Sequence, residues 1–173
     1  MIETYWILAV LTVALVIAVI TDLSTHRIPN WLTLSLVAVA LACQFAVGQW
    51  QGLLVGLGGA SVGLSCFLPL HIFGAMGAGD VKLMTAVGAI LGPQAAFVGV
   101  LATVVFGGGI ALIFIGWRGG LRALWRRYRQ MAVMIAYRQP VYLAPATNEA
   151  AGERFPYALA IACGSFFSLW YLT

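Results

Sequence analysis

Long apolar runs separated by short polar segments restrict the fold of this chain more than any other feature. The runs cover residues 2–20, 31–47, 52–73, 81–91, 94–115 and 155–172. A short turn is predicted over residues 48–51, between the second run and the third. A helix needs roughly 20 apolar residues to cross a bilayer. In lipid, only helices and closed barrels satisfy their own backbone hydrogen bonds. We therefore predict an all-α polytopic membrane protein with about six transmembrane helices, forming a single membrane-embedded domain over residues 1–173.

The composition agrees with a membrane protein. Of the 173 residues, 62% are hydrophobic and only 8% are charged, whereas soluble domains carry about 25% charged residues. The first run carries Glu3 and lacks a basic flank, so we expect a retained membrane helix rather than a cleaved signal peptide. Most of the basic residues fall in one segment, and this distribution argues against nucleic acid as a partner.

That basic segment spans residues 117–154. Its apolar residues recur at helical spacing opposite a mostly arginine face, which predicts a cytoplasmic amphipathic helix lying on anionic membrane lipid. A docking surface for a protein partner is the alternative interpretation. The apolar positions are Leu121, Leu124, Trp125, Tyr128, Ala132 and Ile135.

The loop charges also predict a topology. Basic residues concentrate in cytoplasmic loops, so the arginine-rich segment should be cytoplasmic. Counting back across six spans places Lys82 and Arg27 on the same side. The same count puts Asp22 and Asp80 there, although the charge rule largely ignores acidic residues.

Asp22 and Asp80 are two of only five acidic residues, and both lie near the ends of apolar runs. A carboxylate in hydrocarbon costs roughly 2.5 to 3.5 kcal/mol on insertion scales, so such a residue needs a reason. We predict that the two form one acid pair that shares a proton and activates water, as in an aspartic protease. Gly77 and Gly79 would let a peptide approach the backbone beside Asp80.

Each feature also has a simpler interpretation. Asp80 could be only a helix N-cap, the glycine turn only a flexible connection, and Asp22 a solvated residue at a helix end. A helix over residues 81–91 would rise only about 16 Å, so either it begins inside the membrane or the turn lies elsewhere. The spacing Gly52-x3-Gly56 and Gly59-x3-Gly63 favours close packing of helices. Alternatively, these glycines are distributed along the run without making a specific contact.

Other chemistry has little support in the sequence. His26 and His71 fit interfacial or packing positions, and the isolated cysteines Cys43, Cys66 and Cys163 fit packing. We expect no metal and no soluble cofactor. Motifs of serine and metalloproteases, Gly-x-Ser-x-Gly and His-Glu-x-x-His, are absent.

Two motifs together resemble those of the type IV prepilin peptidase family of membrane aspartic peptidases. They are Asp22 with Arg27-Ile28-Pro29-Asn30, and Gly77-Ala78-Gly79-Asp80-Val81-Lys82-Leu83; a weaker third is Phe155-Pro156-Tyr157-Ala158. The resemblance implies that Asp22 and Asp80 are catalytic and that the substrate is a prepilin or pseudopilin leader, cut at the cytoplasmic face of the inner membrane. Site-shaping roles would fall to Gly77, Gly79, Lys82, Arg27, Pro29 and Asn30.

The chain departs from the large bifunctional members of that family. It has no domain with paired Cys-x-x-Cys motifs, and only a few residues separate Asp22 from Trp31. It therefore resembles the short form associated with tight-adherence (Flp-type) pili, and N-methyltransferase activity is not expected. Two rival interpretations are a small transporter or proton-relay protein, in which paired carboxylates mark an ion path, and a structural subunit of an assembly.

Overall fold

A computed structural model describes residues 2–25, 27–73, 76–117, 125–126, 129–130, 133 and 157–172. Most of the described residues fall in five helices; residues 125–126, 129–130 and 133 are also helical, and no strand occurs among the described residues. The helices are α1 (Ile2–Thr25), α2 (Asn30–Ile72), α3 (Ala78–Leu91), α4 (Pro93–Trp117) and α5 (Tyr157–Leu172). The prediction of an all-α protein is confirmed.

Three of these helices contain a segment long and apolar enough to cross a membrane, judged by length and composition among the described residues. The segments are Leu8–Thr25, Asn30–Ile72 and Pro93–Ile113. Helices α3 and α5 are apolar but have only 14 and 16 residues. The chain therefore has the character of a membrane protein, but the predicted count of six spans is not confirmed.

Helix α1 is longer than predicted. It continues past residue 20 to Thr25, so Asp22 lies within the helix rather than in the segment that follows it. The hydroxyls of Thr21 and Ser24 each donate to a carbonyl one turn back, Thr21 to Ile17 at 2.9 Å and Ser24 to Ile20 at 2.7 Å. Such back-bonding satisfies polar side chains without ending the helix, which is why the polar sequence did not mark the true end.

Helix α2 reverses direction at Gln49, the single residue within it whose backbone is not helical (φ 49°, ψ −132°). Its two limbs, residues 30–48 and 50–72, pack side by side: a Cβ placed on Gly52 would overlap the carbonyl of Gln44. The turn predicted over residues 48–51 is therefore present, but it needs only one non-helical residue.

Helix α3 lies at the centre of the core, with most of its residues buried. It packs mainly on α2 and also contacts α1 and α5. Glycines bring α2 and α3 together: a Cβ on Gly59 would overlap the carbonyl of Gly88, and one on Gly63 would overlap that of Met84. The glycine spacing therefore does serve close helix packing. Gly56 also lies on this contact, beside the carbonyl of Ala89.

Helix bounds differ from the predicted runs by a few residues elsewhere. Helix α3 begins at Ala78 instead of residue 81, and α4 begins at Pro93, because proline suits the first position of a helix, where its missing N–H is not needed. Helix α5 is described from Tyr157, so the first residues of the run predicted over 155–172 lie outside the described residues.

The chain divides into two compact units, one over residues 1–107 and 156–173 and the other over residues 108–155. The first holds both aspartates and the glycine turn. Of the second, the structure describes the end of α4 and a few helical residues, among which Trp125, Arg126 and Arg129 are exposed. The rest of the predicted amphipathic helix lies outside the described residues.

Candidate active site

Asp22 and Asp80 come from separate helices and are both buried, each with 7% of its surface exposed. Asp22 lies in the last turn of α1, and Asp80 lies in the first turn of α3. The charge of Asp22 acts on the Asp80 carboxyl, so the two groups are within electrostatic reach of each other. Two motifs 58 positions apart in sequence thus bring their acidic side chains to one site.

Asp80 is held by the turn that precedes it. Its carboxylate Oδ2 accepts a hydrogen bond from the backbone N–H of Gly77 at 3.0 Å, and its own N–H donates to the Gly77 carbonyl at 3.2 Å. Gly77 is the N-cap residue of α3, so Asp80 is the third residue of the helix. Asp80 is therefore not the N-cap residue itself, although its side chain does cap the start of α3, as the simpler interpretation supposed.

The surroundings of Asp80 favour its neutral form. Burial raises the pKa of the Asp80 carboxyl from 3.8 to about 6; the hydrogen bond from Gly77 opposes this rise, the charge of Asp22 adds to it, and His71 opposes it. Removing water disfavours a charged carboxylate, as does a second acid nearby. At neutral pH the site can therefore hold a proton more readily than an exposed aspartate would.

Asp22 is held by a helix far along the chain. Its Oδ2 accepts a hydrogen bond from the backbone N–H of Ala158 at 3.1 Å. Ala158 lies at the start of α5, and the first N–H groups of a helix have no partner within the helix and favour negative charge. The weak third motif in the sequence therefore supplies a backbone donor to the site.

The first turn of α3 also packs against the connection between α1 and α2. A Cβ on Gly79 would lie 3.2 Å from Cβ of Ile28, tighter than nine in ten real contacts of that kind. Glycine at this position therefore allows a close approach, and a larger residue would require Ile28 to shift by a few tenths of an ångström. Ile28 is itself buried, with 9% of its surface exposed.

Lys82 and Asn30, from the two predicted motifs, meet directly. The Lys82 ammonium donates a hydrogen bond from Nζ to Oδ1 of Asn30 at 2.8 Å, and both side chains are exposed. Pro29 is the N-cap residue of α2 in an extended conformation, and its carbonyl accepts the N–H of Leu32 at 3.2 Å. The side chain of Arg27 is exposed.

Two residues near Asp80 were not predicted to belong to the site. His71, in the last turn of α2, acts electrostatically on Asp80, and its Nδ1 lies 3.0 Å from the Met76 carbonyl oxygen. Tyr157, the first residue of α5, lies within electrostatic reach of Asp80. The sequence signal for Tyr157 was the third motif; for His71 it was only its place shortly before the glycine turn.

The fold and the site define an all-helical, membrane-type protein in which two helices each contribute one buried carboxylate to a shared centre. Comparison with known families goes further: the chain belongs to the type IV leader peptidase family, which matches residues 9–112. The match includes both aspartates and the glycine turn, but not Ala158. No curated protein and no solved structure matches the chain. Membership implies a peptidase that acts on leader peptides, and the family resemblance seen in the sequence is confirmed.

Proposed function

We propose that the protein is an aspartic endopeptidase of the inner membrane that removes leader peptides from prepilins or pseudopilins, with Asp22 and Asp80 as its catalytic residues. The observation that carries this proposal is that two buried carboxylates from separate motifs, 7% exposed each, lie within electrostatic reach of each other. Family membership supplies the class of substrate.

The pair would divide the work between a base and an acid. The ionised carboxylate takes a proton from a water molecule, whose oxygen attacks the scissile carbonyl carbon. The protonated carboxyl donates its proton to the carbonyl oxygen, which gives a neutral tetrahedral intermediate. Collapse of the intermediate breaks the C–N bond as a proton passes to the leaving amine. The raised pKa of Asp80, about 6, suits a group that holds the shared proton.

The location of the site suits a substrate that is itself a membrane helix. Leader cleavage at the cytoplasmic face would place the scissile bond beside the ends of α1 and α3. We propose that α1, the two limbs of α2 and α4 cross the membrane, that the shorter helices α3 and α5 pack among them, and that Arg27 and Lys82 lie on the cytoplasmic side. The ammonium of Lys82 and the guanidinium of Arg27, both exposed, would help place the peptide at the membrane surface.

The chain also fits the short type of leader peptidase. Its three cysteines are isolated in sequence and form no Cys-x-x-Cys motif, so we propose that it does not methylate the new N-terminus. From its resemblance to the short form we further propose that it cleaves Flp-like prepilins. Mass spectrometry of the cleaved product, with S-adenosylmethionine present, should therefore find an unmodified N-terminal amine. A product heavier by one methyl group would contradict this part of the proposal.

Cleavage of a prepilin-like substrate in proteoliposomes tests the central claim. Asp22→Asn and Asp80→Asn keep the shape of each side chain but remove its acid–base function, so each should lower kcat by about 10²-fold or more. Glu3→Gln, the same change at another acidic residue of the chain, serves as the matched control and should cleave normally. Cleavage at the wild-type rate by either aspartate variant would refute the proposed mechanism.

A further inference from the structure

A single peptide unit of the backbone lies between the side chains of His71 and Asp80. The Met76 carbonyl oxygen lies 3.0 Å from Nδ1 of His71, and the N–H of Gly77 donates to Oδ2 of Asp80, also at 3.0 Å. This carbonyl and this N–H belong to the same Met76–Gly77 peptide. Because the two groups point in opposite directions across a trans peptide, the imidazole and the carboxylate lie on opposite sides of it.

We propose that His71 is a positioning residue for the catalytic acid: its Nδ1–H fixes the Met76–Gly77 peptide so that the Gly77 N–H points at Asp80. This inference rests on the proposed function, because it assumes that Asp80 takes part in peptide cleavage. It assigns His71 a role different from the interfacial or packing position expected from the sequence.

The direction of the hydrogen bond follows from the atoms involved. A carbonyl oxygen is an acceptor only, so Nδ1 of His71 must carry the hydrogen. Both the neutral Nδ1–H tautomer and the imidazolium meet this requirement. His71 lies in the last turn of α2, where a helix favours a positive charge. The bond to Met76 therefore persists whether His71 is neutral or charged.

A chain of hydrogen bonds strengthens each of its members. A donor on the Met76 carbonyl polarises the peptide, and this makes the Gly77 N–H a better donor to the Asp80 carboxylate. The loss of the imidazole should therefore weaken the hold on Asp80 although His71 itself does not touch the carboxylate. A residue that only filled space at this half-buried position could be replaced by an apolar side chain without such an effect.

The pH dependence of cleavage reports this effect on Asp80. The groups that act on or respond to its charge are Asp22 from α1, His71 from α2 and Tyr157 from α5, besides the Gly77 N–H. When the Gly77 N–H is less well placed, its hydrogen bond stabilises the ionised form of Asp80 less, and the pKa of the Asp80 carboxyl rises. The acid limb of kcat/KM, which reflects full protonation of the acid pair, should then move to higher pH.

The test compares a side chain that keeps the donor with side chains that lose it. In His71→Asn, Nδ2 stands two bonds from Cβ, as Nδ1 does in histidine, and it can donate to the Met76 carbonyl. His71→Leu and His71→Phe cannot donate, and Phe keeps a ring of similar shape. Ile72→Ala, at the neighbouring exposed position, is the control for disturbance of the helix end.

We expect the two apolar variants to lower kcat/KM by about 10-fold, the loss expected for one charge-assisted hydrogen bond, and to move the acid limb upward by about half a pH unit or more. His71→Asn should stay within about threefold of wild type, with an acid limb below that of His71→Leu. The Ile72→Ala control should match wild type.

Two results would overturn the inference. If His71→Leu and His71→Phe both keep the wild-type acid limb, or if His71→Asn is as impaired as they are, the donor has no role. Asp80→Asn is measured in parallel because it distinguishes the two proposals. Cleavage by Asp80→Asn would refute the proposed function itself, whereas an inactive Asp80→Asn with a normal His71→Leu would refute only the role of His71.

Discussion

Asp22 and Ala158 are joined by a hydrogen bond of 3.1 Å although 136 residues separate them in the chain. The donor is a backbone N–H in the first turn of α5, where such groups have no partner within the helix. The buried carboxylate on α1 thus accepts a hydrogen bond from an N–H group at the start of α5, and the start of a helix is a favourable place for an acidic side chain. Neither residue could be paired with the other from its own surroundings in the sequence.

Replacing Ala158 by proline should remove this hydrogen bond while keeping the helix. Proline is tolerated in the first turn because the N–H it lacks is not used within the helix. We expect Ala158→Pro to lower kcat/KM for leader cleavage by about 10-fold or more, since a hydrogen bond to a charged group contributes roughly 1.5 to 3 kcal/mol. The measurement is cleavage in proteoliposomes.

Leu159→Pro is the matched control, because Leu159 lies in the same turn, is partly exposed and has a different N–H. It should lose much less activity than Ala158→Pro. Equal losses in the two variants would mean that proline acts on the helix, not on Asp22.

Asp80 should make the stability of the protein depend on pH. Its pKa in the folded state, about 6, lies above its ordinary value of 3.8, so the folded state binds more protons than the unfolded state between these values. The free energy of unfolding should therefore rise as the pH falls from about 7 towards 4. The apparent Tm in detergent, measured across that range, should increase accordingly.

The Asp80→Asn variant isolates this contribution, because an amide does not titrate in that range. The difference in apparent Tm between wild type and Asp80→Asn should change with pH in favour of wild type at low pH. A difference that stays constant from pH 7 to pH 4 would contradict the proton uptake assigned to Asp80.

The packing of α2 on α3 should not tolerate a side chain at Gly59. A Cβ there would overlap the carbonyl of Gly88, which is backbone and cannot rotate away. We expect Gly59→Ala to destabilise the protein by about 1 to 3 kcal/mol, as overpacking usually does, and to lower the apparent Tm. Cleavage activity should fall with it, because α3 carries Asp80.

Gly58→Ala offers a control one residue away on the same helix. A Cβ at Gly58 would lie 3.8 Å from the Pro93 side chain, an ordinary contact, and alanine favours helix by up to about 1 kcal/mol over glycine. This variant should keep or raise the apparent Tm. Equal destabilisation by both substitutions would show that the contact with Gly88 is not the cause.

The bond between Lys82 and Asn30 should appear as coupling between two substitutions. Because their 2.8 Å hydrogen bond joins exposed groups, Lys82→Met and Asn30→Ala should each cost little stability. The double variant should cost less than the sum of the two, by roughly 0.5 to 1 kcal/mol. A double-mutant cycle on the free energy of unfolding measures this coupling energy. Strict additivity of the two substitutions would exclude a significant hydrogen bond between the side chains. Lys82→Met combined with Ser35→Ala should be additive, because the Ser35 hydroxyl donates to the Trp31 carbonyl within α2.

Sequence patterns predicted much of the fold because lipid leaves few choices. Apolar runs predicted an all-α protein, and a tight turn was placed correctly around Gln49. The scarcity of acidic residues singled out Asp22 and Asp80, since each carboxylate in an apolar chain requires a reason. Their burial and their electrostatic contact agree with the predicted pair; their catalytic role stays a proposal.

The contacts that hold the two acids were not predictable, because their donors are backbone groups. Any residue type can offer an N–H, so neither Ala158 nor Gly77 carries a side-chain signal for its hydrogen bond. The bond from His71 to the Met76 carbonyl is hidden for the same reason. The end of α1 was missed because Thr21 and Ser24 satisfy their hydroxyls inside the helix.

The two acids also differ in when their donors become available during synthesis. Asp80 finds its donor three residues away in Gly77, so this contact can form as soon as α3 does. Asp22 must wait for Ala158, which leaves the ribosome after α1, α2, α3 and α4 have been made. A nascent chain would therefore hold both acids, but Asp22 would lack its donor until α5 takes its place.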